Sequence, residues 1–179
     1  MQIHPESRLE NTPKDHIERD LGNLLNRLTV KMQQDALIRQ TTSKLRDALK
    51  VDRVILYYLY EEWLGQVTFE SLSNQELSIL GTTGPEDGFT AEYAALYLAG
   101  RTRAIDDIEV EPIQACHRDF LRGLQVRANL IVPILIPRGL WGLLIAHHCS
   151  GPHPWLPSHV ELMLAGAKTL ATDPTILES

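Results

Sequence analysis

A chain of 179 residues with a hydrophobic fraction of 44% is long enough for one good core and short for two. Its net charge of −6, without a basic run, excludes the electrostatic footprint of a nucleic-acid binder. The polar start MQIHPESRLENTPKD and the lack of a long apolar run predict neither a signal peptide nor a membrane span, and so a cytoplasmic protein.

In chain order, Leu21, Leu24, Leu25 and Leu28 fall at i, i+3, i+4 and i+7, and Ile38, Leu45, Ala48 and Leu49 carry a helical stripe on to Lys50. These predict a helical entry of two segments over about residues 15–50. At Val51 the pattern changes: DRVILYYLYEEW has apolar residues on both faces and predicts a strand buried on both sides. Gly65 opens a second strand, GQVTFESLS, whose alternation places Val67 and Phe69 on one face and Thr68 and Glu70 on the other. The two form a hairpin. After the turn-rich GTTGPEDGF, Thr90 caps a helix through Leu98 that stops at Gly100, and RTRAIDDI is short and extended.

Pro112 marks the start of a short helix over Ile113 to Leu124, with Cys116 in its early turns. RANLIVPILI and LWGLLIAHHC are strands joined by Pro137-Arg138-Gly139, and Pro133 marks a bulge or an edge position. Ser158-x-x-Glu161 has the form of a capping box opening a C-terminal helix over about 158–171, lined by Val160, Met163, Leu164, Ala167 and Leu170. Helices at both ends of an antiparallel sheet of five to six strands make an α+β fold, one domain over residues 1–179.

The chemistry centres on ACHRDFLRGLQ, where one of only two cysteines, Cys116, directly precedes His117. No CxxC or Cys/His spacing points to zinc, and two cysteines make no disulfide framework. A free cysteine is often a small core residue. A Cys-His catalytic pair is disfavoured by adjacency, because neighbouring helical side chains point roughly 100° apart. A third role is covalent attachment: a thiol in the first turn of a helix adds to an electrophilic double bond, and the next side chain lies against the attached group.

Four blocks in order, ALYLAGRTRAIDDI, ACHRDFL, QVRANLIVPIL and LWGLLIAHHCS, resemble the bilin-binding GAF domain of a cyanobacteriochrome, a relative of the phytochromes, over about Leu45 to Leu170. The resemblance implies a linear tetrapyrrole, typically phycocyanobilin, held by a thioether to Cys116, and reversible Z/E isomerisation at the double bond leading to its D ring. It implies that His117 packs on the central pyrroles and that Glu86, thirty residues before the cysteine, meets the pyrrole N–H groups. It gives Arg101 as the propionate partner with Arg103 as the alternative, and places Tyr97 and His147 along the rings, His147 near the D ring. A carboxylate facing a protonated tetrapyrrole supplies counter-charge and acceptors together, and a guanidinium suits a carboxylate because it bonds in two-pronged fashion.

The chain departs from the family at three points. Where one subgroup carries Asp-x-Cys-Phe and forms a second, reversible adduct with blue or violet colour, this chain has Glu86-Asp87-Gly88-Phe89, so no such adduct is expected. Glu replaces the usual Asp, and Gly84 stands where many red/green members have a tryptophan. Green/red members share the Glu but typically have Leu after the attachment cysteine, where this chain has His117. A red to far-red dark state and an orange or green product are expected. Cys149 is taken as structural or incidental. The alternative is a GAF domain binding a small ligand such as a cyclic nucleotide without sensing light. On either reading the chain is a sensory part of a longer protein, not an enzyme, with neighbouring signalling domains and a parallel homodimer through its terminal helices as expected partners.

Overall fold

The computed structural model describes residues 12–61, 64–84 and 90–179. Thr12 opens helix α1 (Pro13–Gln34): its hydroxyl accepts the Asp15 N–H while the Asp15 carboxylate accepts the Thr12 N–H at 2.8 Å, a reciprocal cap that satisfies two orphan donors. Asp35 ends α1 and at once caps α2 (Ala36–Leu49), accepting the Ile38 N–H at 3.0 Å. One residue thus sets the bend between the two predicted helical segments.

Five strands follow: β1 (Arg53–Glu61), β2 (Leu64–Leu72), β3 (Arg103–Ile105), β4 (Ala128–Ile136) and β5 (Gly139–His148). All pair antiparallel, in the order β2-β1-β5-β4-β3. Between them lie α3 (Ala91–Leu98), capped by Thr90, and α4 (Ala115–Gly123); α5 (Pro157–Leu170) and α6 (Pro174–Leu177) close the chain. No described helix is long and apolar enough to cross a membrane.

The sheet has helices on both faces, and alternation along each strand divides its residues between them. Val54, Leu56, Val132 and Leu144 pack with Met32, Ile38, Leu49, Met163 and Leu170 of the terminal helices. On the opposite face Ile55, Val67, Leu143 and Ile145 meet Tyr97 of α3. A third cluster, Ile105, Ile108, Leu121 and Val126, seats α4 beside the edge strand β3. Where β1 crosses β5 the approach is closest at Gly142: a Cβ there would lie 2.1 Å from the Tyr57 carbonyl oxygen. β3 pairs with β4 only from Asn129 to Ile131, and Pro133 lies beyond it, where no described strand adjoins β4 on that side and a missing N–H is tolerated.

Three expectations are corrected. Val67 and Phe69 do not share a face, because the β1–β2 register slips at this point: Leu56 stands opposite Phe69 and Tyr57 opposite Val67. Thr68 is the extra residue of a β-bulge. It is fully buried and donates to the Met32 sulfur at 3.3 Å, so Phe69 joins the helical core while Val67 joins the opposite face. Nor does Ser158 cap the last long helix. That helix starts at Pro157, and the His159 ring nitrogen Nδ1 accepts the Leu156 N–H at 3.2 Å, which leaves Ser158 and Glu161 inside the first turns. The predicted helix from Ile113 likewise begins two residues later, at Ala115.

Candidate functional site

Cys116 lies in the first turn of α4 and is exposed, which removes the reading of a small core residue. Its thiol faces the Gln114 side chain at 3.7 Å, with no bond to His117. The backbone leading into this turn is held by Arg118, which donates to the carbonyls of Ile108 and Glu111, each at 2.8 Å. The cysteine therefore stands on a tethered helix start whose other face is anchored by Leu121.

Tyr97 comes from α3 and is buried on the sheet face opposite the terminal helices. Burial pushes its phenol up, with the charges of Arg101 and Arg103 acting against that rise. Arg101 follows the glycine turn at Gly100, which has φ 96°, and its guanidinium lies 5.9 Å from the ring centres of both Tyr93 and Tyr97, within cation–π range. Arg103 is in β3, directly opposite Ile131, and bonds Glu111 at 3.1 Å. Partial burial, and then the Arg103 charge, lower the His117 pKa. Arg103 thus lies electrostatically between Tyr97 and His117 and ties α3, β3 and α4 into one region.

His147 is buried in β5. Its Nδ1 accepts a hydrogen bond from Arg53 Nε at 3.0 Å. Burial, and then the Arg53 charge, hold its pKa well below the ordinary imidazole value. Arg53 reaches further: Nη2 donates to the Leu124 carbonyl at 2.7 Å and Nη1 to the Leu77 carbonyl. One side chain so links β5, the end of α4 and the turn after β2. Beside His147 across the ladder is Asn129, buried, its Oδ1 without a hydrogen-bond partner among the described residues.

Five of the expected site residues therefore gather around one sheet face and its edge: Cys116, His117, Tyr97, Arg101 and Arg103. His147 shares that face but binds Arg53. Glu86 lies outside the described residues. Gly84, just before that segment, donates its N–H to the Tyr57 hydroxyl at 2.8 Å, and a Cβ at Gly84 would stand 2.5 Å from that oxygen. Arg53, Asn129 and Tyr57 escaped the sequence reading. The one available signal for Arg53 was a charged residue opening a doubly buried strand.

Residues 34–172 match the model of the GAF domain. Over 161 residues the chain is 45% identical to an uncharacterized protein of Picosynechococcus sp., covering 90% of this chain and 99% of that one. It is 34% identical over 160 residues to a putative methyl-accepting chemotaxis protein of Synechocystis sp., covering 80% of this chain and 16% of the relative. Among solved structures, the blue-light absorbing form of the Thermosynechococcus elongatus PixJ GAF domain is similar at 34% identity and TM-score 0.68, over 76% of this chain and 83% of that one. The phycocyanobilin-bound GAF domain from a cyanobacterial phytochrome is similar at 29% identity and TM-score 0.67, over 84% of this chain and 91% of that one.

Proposed function

The chain belongs to the GAF domain family, and we propose that it is a photoreceptor module of the cyanobacteriochrome kind, holding a linear tetrapyrrole by a thioether to Cys116. The observation that carries this reading is the placement of Cys116: an exposed thiol in the first turn of a tethered helix, beside a face furnished with Tyr97, Arg101 and Arg103. The phycocyanobilin named for one structural relative supports phycocyanobilin as the pigment. The residues present fit such a group. Arg101 and Arg103 offer guanidinium donors to propionates, Tyr97 and the aliphatic row Ile55, Leu143 and Ile145 offer apolar contact to the rings, and the buried Asn129 Oδ1 has no hydrogen-bond partner among the described residues.

When bound, a linear tetrapyrrole supplies light absorption and Z/E isomerisation near its D ring. The chain's own contribution is to fix one end through Cys116, to pack His117 on the central rings, and to present the Glu86 carboxylate to the pyrrole N–H groups. With Gly88 in place of a second loop cysteine, the dark state lies in the red to far-red and the product in the orange or green. Signalling passes to a neighbouring domain or to a second copy through the terminal helices, where Ile17 and Leu24 of α1 are exposed.

The test is the absorption spectrum of the chain co-produced with phycocyanobilin, in darkness and after saturating light, followed by a denaturing gel read for zinc-induced bilin fluorescence. Covalent, photoreversible colour lost in Cys116→Ala is the expected result. A dark-state maximum in the blue or violet would overturn the colour assignment. A colourless protein would leave a GAF domain for a small ligand.

A further inference from the structure

Helix α4 begins without a local cap. Its N-cap Gln114 makes no side-chain bond to the first-turn N–H groups, the donors that a helix start leaves without partners, and its Oε1 faces the Cys116 thiol instead, at 3.7 Å. The start is held by contacts from outside the helix. Arg118, whose N–H closes the first turn on the Gln114 carbonyl at 3.0 Å, sends Nε to the Ile108 carbonyl and Nη2 to the Glu111 carbonyl, each at 2.8 Å and half-buried. A guanidinium spans two such acceptors from one rigid fork.

Both carbonyls belong to residues 107–111, which are themselves fixed, because each alternate carboxylate takes an arginine. Asp107 takes Arg127, just before β4, at 2.7 and 3.0 Å; Glu109 takes Arg122 of α4 at 2.9 Å; and Glu111 takes Arg103 of β3 at 3.1 Å. Ile108 among them is fully buried. Helix α4 therefore meets this base twice, at its start through Arg118 and at its end through Arg122. The two contacts are unequal. The Arg122 side chain is 51% exposed, a setting in which ion pairs hold little, whereas the Arg118 bonds are half-buried and charge-assisted.

We propose that Arg118 is a positioning residue for attachment at Cys116, fixing where the sulfur stands beside the face of Tyr97, Arg101 and Arg103. Two positions apart in a helix, the two side chains point roughly 160° apart. Arg118 grips the back of the turn and leaves the thiol exposed on its front. This role rests on the bilin reading, in which the sulfur bonds to one carbon of an electrophilic C=C, the π bond breaks, and the neighbouring carbon takes up the proton that the thiol gives up. Nothing is oxidised and nothing leaves. The rate of such an addition depends on the approach of the two atoms, and a displacement of about 1 Å costs about 100-fold.

The test mixes the purified, pigment-free chain with saturating phycocyanobilin and times covalent attachment by zinc-induced fluorescence on denaturing gels, beside the rate of Cys116 alkylation by iodoacetamide and the urea midpoint. Arg118→Met is expected to attach roughly 10- to 100-fold more slowly at an unchanged iodoacetamide rate, since a small reagent needs no fixed approach. Arg118→Lys, which keeps a donor but not the fork, should lose less, and Arg122→Met should attach at the wild-type rate. An Arg118→Met rate equal to the wild type would overturn the role. So would a matching fall in its iodoacetamide rate, or an equal slowing in Arg122→Met, which would point to a general loosening of α4. If Arg118→Met does not fold, Arg118→Lys decides: slower attachment at an unchanged urea midpoint upholds the role, and a wild-type rate overturns it. A wild-type chain that stays colourless removes the bilin reading and this role with it, whereas a coloured wild type with equal rates in every variant removes the role alone.

Discussion

Among the described residues three imidazoles are depressed with burial as the leading cause: His117, His147 and His153. His153 is also crowded by like neighbours, its ring stacking at 4.9 Å on His148 and 5.7 Å from His159. A depressed imidazole binds protons less readily folded than unfolded, so each contributes stability that is whole above 6.5, the ordinary value, and is lost as pH falls through the folded value. Asp173 works in the opposite sense, its carboxyl being raised chiefly by burial, but nearer the carboxylate range. The urea midpoint is therefore expected to hold between pH 8 and 7 and to decline from about pH 6.5 towards 5. His153→Gln should flatten that decline, and an unchanged slope in the variant would show that the stack contributes nothing.

At the scale of elements, two features of the β1 neighbourhood set the geometry of both faces. The bulge at Thr68 turns Phe69 into the helical core and Val67 towards Tyr97, so one extra residue determines what each face receives. Gly142 lets β5 lie against β1 where a Cβ would meet the Tyr57 carbonyl oxygen at 2.1 Å. Backbone cannot swing aside as a side chain does. Gly142→Ala is accordingly expected to destabilise the fold by about 3 kcal/mol through overpacking, read as a lowered urea midpoint. A midpoint equal to the wild type would mean that the strands separate at little cost.

Taken as a whole, the molecule places its main apolar core and its candidate site on opposite faces of the sheet. The terminal helices cover one sheet face with an apolar core that includes the fully buried Ile176, and Trp141 Nε1 donates to the Ser179 hydroxyl at 2.7 Å. The opposite face carries the candidate site. Ile176→Ala should cost about 3 kcal/mol of stability, as buried truncations do, while leaving the absorption maxima of the loaded protein unmoved. A shifted spectrum would show that the two layers are coupled through the sheet.

The sequence by itself determined the α+β order, both entry helices, the Thr90 cap and the position of Cys116 in a helix start, because periodicity, caps and turn residues are local signals carried by neighbours in the chain. It also determined the family resemblance, which rests on the same local blocks. The tertiary structure alone decided what depends on distant partners. The Thr68 bulge exists only against β1, and Arg53 meets a histidine 94 positions away. A charged residue at a strand's start reads as exposed from its neighbours. Only packing β1 between β2 and β5 buries that charge and hands it the lone pair of His147.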